Sequence, residues 1–307
     1  MRPRLAVTMG DPGGVGPELA VAVLRSGAAR AAADWVAVGS REALAGAGWT
    51  PGLCPLVDVG PCGPIRRRPT PEGGRASFAA VRAALDLCAR GRVHGMVTGP
   101  ISKEAWALGG VPYPDHTELL RERTSSPRAT MMLAAGRLKA VLVTRHMPLA
   151  RAPRALTARA VVETAELTAA SLRDGLGIAR PRLALCALNP HAGEGGLLGD
   201  EEERVLRPAL ALLRRRGADV AGPIPADTAW AEHAAGRFDA LLALYHDQAL
   251  IPLKLADRFG VVNWTIGAPL VRTSPGHGTA FDVAGRGRAD ASATIAAALW
   301  AARVARR

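Results

Sequence analysis

The stretch LLALYHDQALIPLK, residues 241–254, decides how the chain is read. It opens as an apolar run of the kind that forms a buried strand, and it ends abruptly in Tyr245, His246, Asp247 and Gln248. Titratable side chains at the end of such a strand lie at the carboxyl edge of a sheet, where ligand sites assemble in open α/β folds. Lys254 follows eight residues after His246, and it is one of three lysines beside 36 arginines. Lysine is a compact point charge whose pKa can be lowered for acid–base work, which arginine does not offer. Lys254 and Lys103, in TGPISKEA, are therefore singled out; Lys139 only opens a strand.

Outward from this stretch, short apolar runs alternate with longer amphipathic ones, the pattern of an α/β fold. Strands are expected at 4–9, 34–39, 95–99, 138–144, 182–188, 239–245 and 260–266. Helical spacing marks 156–174, 200–216 and 291–305, with Asp200 as an N-cap and Glu201 to Glu203 as a solvated helix start. The Pro/Gly-rich segment 50–74 reads as an irregular excursion and not as a domain linker.

Composition narrows the function classes. The chain has 307 residues, enough for two ordinary domains, and a formal net charge of +12. That charge raises nucleic-acid binding, but the arginines are scattered and aromatics are 4% of the chain, leaving little for bases to stack on. A basic field of this kind also suits an anionic small substrate. No run reaches the roughly 18 to 20 apolar residues of a membrane span, and the apolar run Leu5 to Met9 is too short for a signal peptide, so the expected compartment is the cytoplasm. Cys54, Cys62, Cys88 and Cys186 form no metal or redox spacing and read as reduced thiols.

Three of the seven histidines share one context. His146 follows AVLVTR, His191 follows LALCALNP, and His246 follows LLALY, each at or just past the end of an expected strand. Neutral imidazoles from adjacent strand ends can converge on one divalent ion, and three histidines with open positions suit catalytic zinc, cobalt or manganese. A separate group, PDHTELL at 114–120, brings His116 and Thr117 into the start of a helix, where an anion can bind; alternatively, Thr117 only caps that helix. MGDPGGVGPE at 9–18 is neither a dinucleotide fingerprint nor a phosphate-binding P-loop. RTSPGHGTAFDVAGRGRAD at 272–290 reads as a loop too long for a mere connection, which favours binding.

Taken together, GDPGGVGPE, TGPISKEA, HTELL, NPHAGEGG, GPIPADT, YHDQALIPLK and RTSPGHGTAFDVAG resemble the 4-hydroxythreonine-4-phosphate dehydrogenase family of pyridoxal 5′-phosphate biosynthesis, over residues 5 to 300. The resemblance implies a two-domain α/β/α fold like the isocitrate and isopropylmalate dehydrogenases, with the active site in the cleft between domains. Domain 1, the cofactor side, would comprise 1–115 and 266–307; domain 2, the metal, substrate and dimer side, would comprise 116–265. It implies His146, His191 and His246 as ligands of zinc, magnesium, cobalt or manganese. His116, Thr117, Lys254, Asn263 and Arg272 would contact substrate, with Lys254 and Asp247 as catalytic groups. His277, Gly278 and Thr279 would contact NAD, with NADP as the alternative. A homodimer with shared sites is implied, with neither nucleic acid nor membrane as partner.

The activity implied is oxidation of 4-phosphooxy-L-threonine with decarboxylation to 3-amino-2-oxopropyl phosphate. The alternatives are a sibling dehydrogenase of 4-phospho-D-threonate or 4-phospho-D-erythronate and, more remotely, a basic nucleic-acid-binding protein. Asp115 departs from the family, which usually has glycine before HTE, and so places a carboxylate beside the expected anion site.

Overall fold

A computed structural model describes residues 2–144, 147–258 and 260–306. The chain divides into two compact units, 1–129 with 262–307, and 130–261. In the first unit the chain runs β1 (Arg4–Thr8), α1 (Gly16–Arg25), α2 (Gly27–Ala32), β2 (Asp34–Gly39), α3 (Arg41–Gly46), β3 (Leu56–Asp58), α4 (Pro71–Ala89), β4 (Gly95–Thr98), α5 (Lys103–Leu108) and α6 (His116–Arg123). β1 pairs in parallel with both β2 and β4. All three are buried almost throughout, as parallel strands covered by helices on both faces must be. α4 starts where Thr70 Oγ1 accepts the Gly73 N–H and Pro71 takes a first-turn position that needs no donor.

The second unit holds β5 (Thr130–Ala135), β6 (Leu138–Leu142), α7 (Ala152–Ala155), α8 (Ala158–Leu176), β7 (Leu183–Cys186), α9 (Arg207–Arg215), β8 (Val220–Ile224), α10 (Ala226–Ala234), β9 (Ala240–Ala243) and α11 (His246–Ala256). The strand order is β5-β6-β9-β7-β8. β5 and β6 form an antiparallel hairpin, while β9 lies between β6 and β7 and is parallel to both. Leu133, Leu142, Cys186, Trp230, Leu241 and Leu253 pack into its core. The chain then re-enters the first unit through β10 (Val262–Ile266), β11 (Val271–Pro275) and α12 (Ser292–Val304), completing the order β3-β2-β1-β4-β11-β10 there. Among the described residues, no helix is long and apolar enough to cross a membrane.

Both unit boundaries differ from those expected at 115/116 and 265/266. α6 belongs to the first unit because Leu119 and Leu120 are buried in the core formed by β1, β2 and β4. The return falls at 261/262 because Val262 to Thr265 pair with β11. β11 itself is a correction: residues 272–275 were expected as the start of a loop. Their polar sequence hides a strand whose Arg272, Thr273 and Ser274 are all buried.

Candidate active-site residues in each unit

The strand ends that carry histidines are neighbours. Because β6, β9 and β7 are adjacent and parallel, their carboxyl ends lie along one edge of the second unit's sheet. Gln248 binds that edge together: its Oε1 accepts the Leu244 N–H at 2.7 Å, and its Nε2 donates to the Ala187 carbonyl at 2.7 Å. Thr144 adds a 2.6 Å bond from its hydroxyl to the Leu244 carbonyl. His246 is the first residue of α11, and its Nδ1 lies 2.6 Å from Asp247 Oδ1. His191 Nδ1 lies 3.5 Å from Glu194 Oε1. A carboxylate on Nδ1 is the arrangement that orients a metal-ligating imidazole through Nε2. His146 lies outside the described residues, and among the described ones no three His, Cys, Asp or Glu side chains form a metal cluster. Lys254 sits exposed in the last turn of the same helix, eight residues or roughly 12 Å along the axis from His246.

His191 is carried on an unusual backbone. His191, Ala192, Gly193, Glu194 and Gly195 all have positive φ, between 48° and 83°, which makes a left-handed turn. Each non-glycine residue in that region costs on the order of 1–2 kcal/mol, so the turn requires external support. Glu202 provides it, in the single π turn Glu202–Leu206 that leads into α9. Its Oε1 accepts the backbone N–H groups of Leu188 and Asn189, both at 2.8 Å, and its Oε2 accepts Asn189 Nδ2 at 2.8 Å. Asn189 Nδ2 also reaches Glu201 Oε2 at 2.7 Å. The expectation of a solvated acidic helix start therefore fails for Glu202, which is 1% exposed. Its charge is buried because three N–H groups converge on it.

In the first unit the opposite charge is buried. Arg272, on β11, is 3% exposed, and its Nε and Nη2 both donate to Thr98 Oγ1, at 3.0 and 2.7 Å. Nη1 donates to Thr265 Oγ1 at 3.3 Å. These partners are uncharged hydroxyls, and burial lowers the Arg272 pKa to about 10. His116 is also buried, against Trp106, with its Nε2 lacking a partner among the described residues. Burial, with the charges of Arg272 and Lys103, holds the His116 pKa well below its ordinary value. A desolvated cation and an unsatisfied imidazole nitrogen in mutual electrostatic contact are what an anionic ligand group would complete.

The cap of α6 is Asp115 and not Thr117. Asp115 Oδ1 accepts the N–H groups of Thr117 and Glu118 at 2.8 and 3.2 Å, while Oδ2 lies 3.5 Å from Lys103 Nζ. The first-turn donors are thus already occupied by the chain's own carboxylate. Asn263 lies on β10 opposite Ser274, and Thr265 lies opposite Arg272.

The glycine-rich turn 9–18 packs on the expected cofactor loop. Val15 N–H donates to the Thr279 carbonyl at 2.9 Å, and a Cβ on Gly14 would come within 2.6 Å of the same oxygen. Glu18 accepts from Gly285 N–H, and Arg67 reaches the Gly285 carbonyl at 3.3 Å. His277 is exposed and Gly278 faces open space. Asp11, in the same turn, is 1% exposed; Oδ1 accepts Gly13 N–H at 2.9 Å, Oδ2 has no partner among the described residues, and burial raises its pKa to about 6.

The comparisons with known proteins bear on this arrangement. Residues 28–301 match the family model described as pyridoxal phosphate biosynthetic protein PdxA. The chain belongs to the PdxA family. It is 42% identical to 4-hydroxythreonine-4-phosphate dehydrogenase of Caulobacter vibrioides, over 99% of this chain and 98% of that one. It superposes on the crystal structure of the Klebsiella pneumoniae 4-hydroxythreonine-4-phosphate dehydrogenase with a TM-score of 0.90 at 36% identity, covering 100% and 99% of the two chains. Isocitrate dehydrogenase from Methylococcus capsulatus shares the fold at a TM-score of 0.51 and 15% identity, covering 96% of this chain and 83% of that one.

For a PdxA-family chain, the expected site residues fall into two groups. His191, His246, Asp247 and Lys254 belong to the second unit; His116, Thr117, Asn263, Arg272, His277, Gly278 and Thr279 belong to the first. Sequence reasoning passed over Glu202, Thr98 and Asp11. Glu202 looked like one of three interchangeable acids, and nothing local signals that Thr98 would become the partner of a buried arginine.

Proposed function

We propose that the protein is an NAD- and divalent-metal-dependent 4-hydroxythreonine-4-phosphate dehydrogenase, oxidising 4-phosphooxy-L-threonine and releasing CO2 to give 3-amino-2-oxopropyl phosphate. The observation that carries the reading is the buried Arg272 guanidinium, hydrogen-bonded to the Thr98 and Thr265 hydroxyls, with the His116 Nε2, which lacks a partner among the described residues, in its field. That pair calls for a phosphate or carboxylate, and relatives named for a phosphorylated substrate match the chain along its whole length.

His146, His191 and His246 are the proposed metal ligands. The Asp247 carboxylate on His246 Nδ1, the Glu194 carboxylate 3.5 Å from His191 Nδ1, and the three adjacent strand ends support that donor set. When bound, the ion would supply Lewis acidity, first to the C3 hydroxyl and then to the enolate left by decarboxylation, and NAD would accept the hydride. The chain's own tasks are positional. Arg272 and His116, with Thr117 and Asn263, hold the anionic groups of the substrate; Asp247 fixes the His246 ring; Lys254 moves a proton or fixes a charged group; and the 277–279 loop receives the dinucleotide. We further assign a homodimer, for which the exposed Leu197, Leu198, Ile251 and Leu255 of the second unit are apolar side chains a second copy would cover.

The test is to supply NAD+ and 4-phosphooxy-L-threonine, with and without a chelator, and to follow reduced cofactor and CO2 together. Equimolar, chelator-sensitive production of both is expected. Faster turnover of 4-phospho-D-threonate or 4-phospho-D-erythronate would move the assignment to the sibling activity.

A further inference from the structure

The left-handed turn that bears His191 is only partly favoured by its own sequence, through Gly193, Gly195 and Gly196. Three of its six positive-φ residues, His191, Ala192 and Glu194, are not glycine, and each of these disfavours the conformation in an isolated segment. What holds it lies in the chain eleven residues after His191. One buried carboxylate, Glu202, receives the N–H groups of Leu188 and Asn189, which are the last residues before Pro190 and the turn. The Asn189 side chain is itself clamped between Glu201 and Glu202. Across the turn, a Cβ on Gly193 would come within 3.0 Å of Glu202 Oε2 and 3.1 Å of the Gly199 carbonyl, so the turn is seated directly on the carboxylate. Strain of this kind persists where the surroundings over-determine it, and it concentrates where a side chain must be aimed.

We propose that Glu202, with Asn189, is a positioning residue: a clasp that stores the left-handed turn and so presets His191 for the divalent ion. This rests on the metal reading above. Glu202 touches no ligand in this account, and its carboxylate acts only through the backbone it grips. The arrangement explains why a charge is kept fully buried at a helix start, where a solvated acid would cap equally well.

The experiment is Co2+ titration of the chelator-treated protein, followed by visible absorption and calorimetry, with thermal unfolding of the metal-free protein as the control for folding. Glu202→Gln keeps one acceptor oxygen but turns an amide donor towards the Asn189 or backbone donors; a loss of about 10- to 100-fold in Co2+ affinity is expected, the range for groups that orient ligands. Ala192→Gly in that background relieves the left-handed position and should restore part of the affinity, which a merely stabilising role would not produce. If Glu202→Gln does not fold, Asn189→Ala decides, with a severalfold loss expected. Affinity within twofold of wild type in a folded Glu202→Gln, or in Asn189→Ala in that case, overturns the proposal; so does a double variant no better than the single one. Failure of the underlying reading is separate: the wild-type protein would then not bind Co2+, or His191→Ala would bind it unchanged.

Discussion

Arg272 gives two of its donors to the single hydroxyl oxygen of Thr98 and a third to Thr265, while the Asp115 carboxylate favours its charge through space. A guanidinium so buried, hydrogen-bonded to neutral groups, carries a charge that burial penalises, a costly arrangement for a folded protein. The cost is consistent with a site completed by an anion.

Replacing Arg272 with methionine should therefore separate stability from binding. The variant is expected to unfold at the same or higher temperature than wild type, because the buried charge is gone. Its affinity for the phosphorylated substrate should fall on the order of 100-fold, equivalent to about 2.7 kcal/mol. Arg272→Lys should also bind weakly, since an ammonium cannot reproduce the planar fork. Calorimetric unfolding and equilibrium binding of substrate without NAD read the two effects apart; a destabilised Arg272→Met with near-normal binding would contradict this account.

Asp247 provides a second separation. Its carboxylate, 2.6 Å from His246 Nδ1, orients that ring. Asp247→Asn should lower divalent-metal affinity by roughly 10- to 100-fold and leave saturated turnover largely recoverable at high metal. His246→Ala should abolish turnover at any metal concentration while the protein remains folded. Activity assayed across a metal titration distinguishes them, and wild-type metal dependence in Asp247→Asn would remove Asp247 from the site.

How much of this was legible beforehand depends on what each segment buries. Strands such as Trp35 to Val38 and Leu241 to Ala243 bury apolar side chains on both faces, so a local apolar run reveals them. β11 is hidden in the sequence because Arg272 and Thr273 are buried through hydrogen bonds and not through hydrophobicity; Thr273, for example, donates to the Ala297 carbonyl at 2.8 Å. His191 and His246 follow β7 and β9, apolar runs that the sequence displays, whereas His146 lies outside the described residues. The left-handed turn was not legible, since its support comes from Glu202, whose burial depends on three-dimensional convergence. Of the two readings of Thr117, the cap is taken by Asp115 instead: both are capping residue types, and only the backbone decides which one precedes the first turn.

Gly14 links the glycine-rich turn to cofactor binding. A Cβ there would meet the Thr279 carbonyl and side chain, both of them within the loop proposed to receive NAD. Gly14→Ala should thus displace that loop and weaken NAD binding several-fold, with metal affinity unchanged because His191 and His246 belong to the other unit. Fluorescence titration with NAD+ beside a metal titration tests this; equal loss of both would indicate general destabilisation instead.

Two buried titratable groups make stability depend on pH with opposite signs. His233 is held neutral, with Nδ1 donating to the Phe238 carbonyl at 3.0 Å and Nε2 accepting the Lys139 N–H at 2.8 Å; burial lowers its pKa from 6.5 to about 4. The unfolded chain takes up that proton more readily, so the contribution of His233, on the order of 3 kcal/mol, is present above pH 6.5 and lost as pH falls towards 4. Asp11 works the other way. Its pKa rises from 3.8 to about 6, so the folded protein holds the proton more tightly, and this contribution is present below pH 3.8 and lost as pH rises through 6. Asp11→Asn retains the acceptor for Gly13 N–H and removes the charge. It should therefore raise the unfolding temperature at pH 8 relative to wild type, by up to about 3 kcal/mol of stability, with the advantage gone near pH 4. His233→Gln should flatten the acid limb and leave the alkaline one unchanged. Unfolding temperatures between pH 4 and 8 provide the check: a benefit of Asp11→Asn that is constant across the range would mean that Asp11 does not change its protonation on folding.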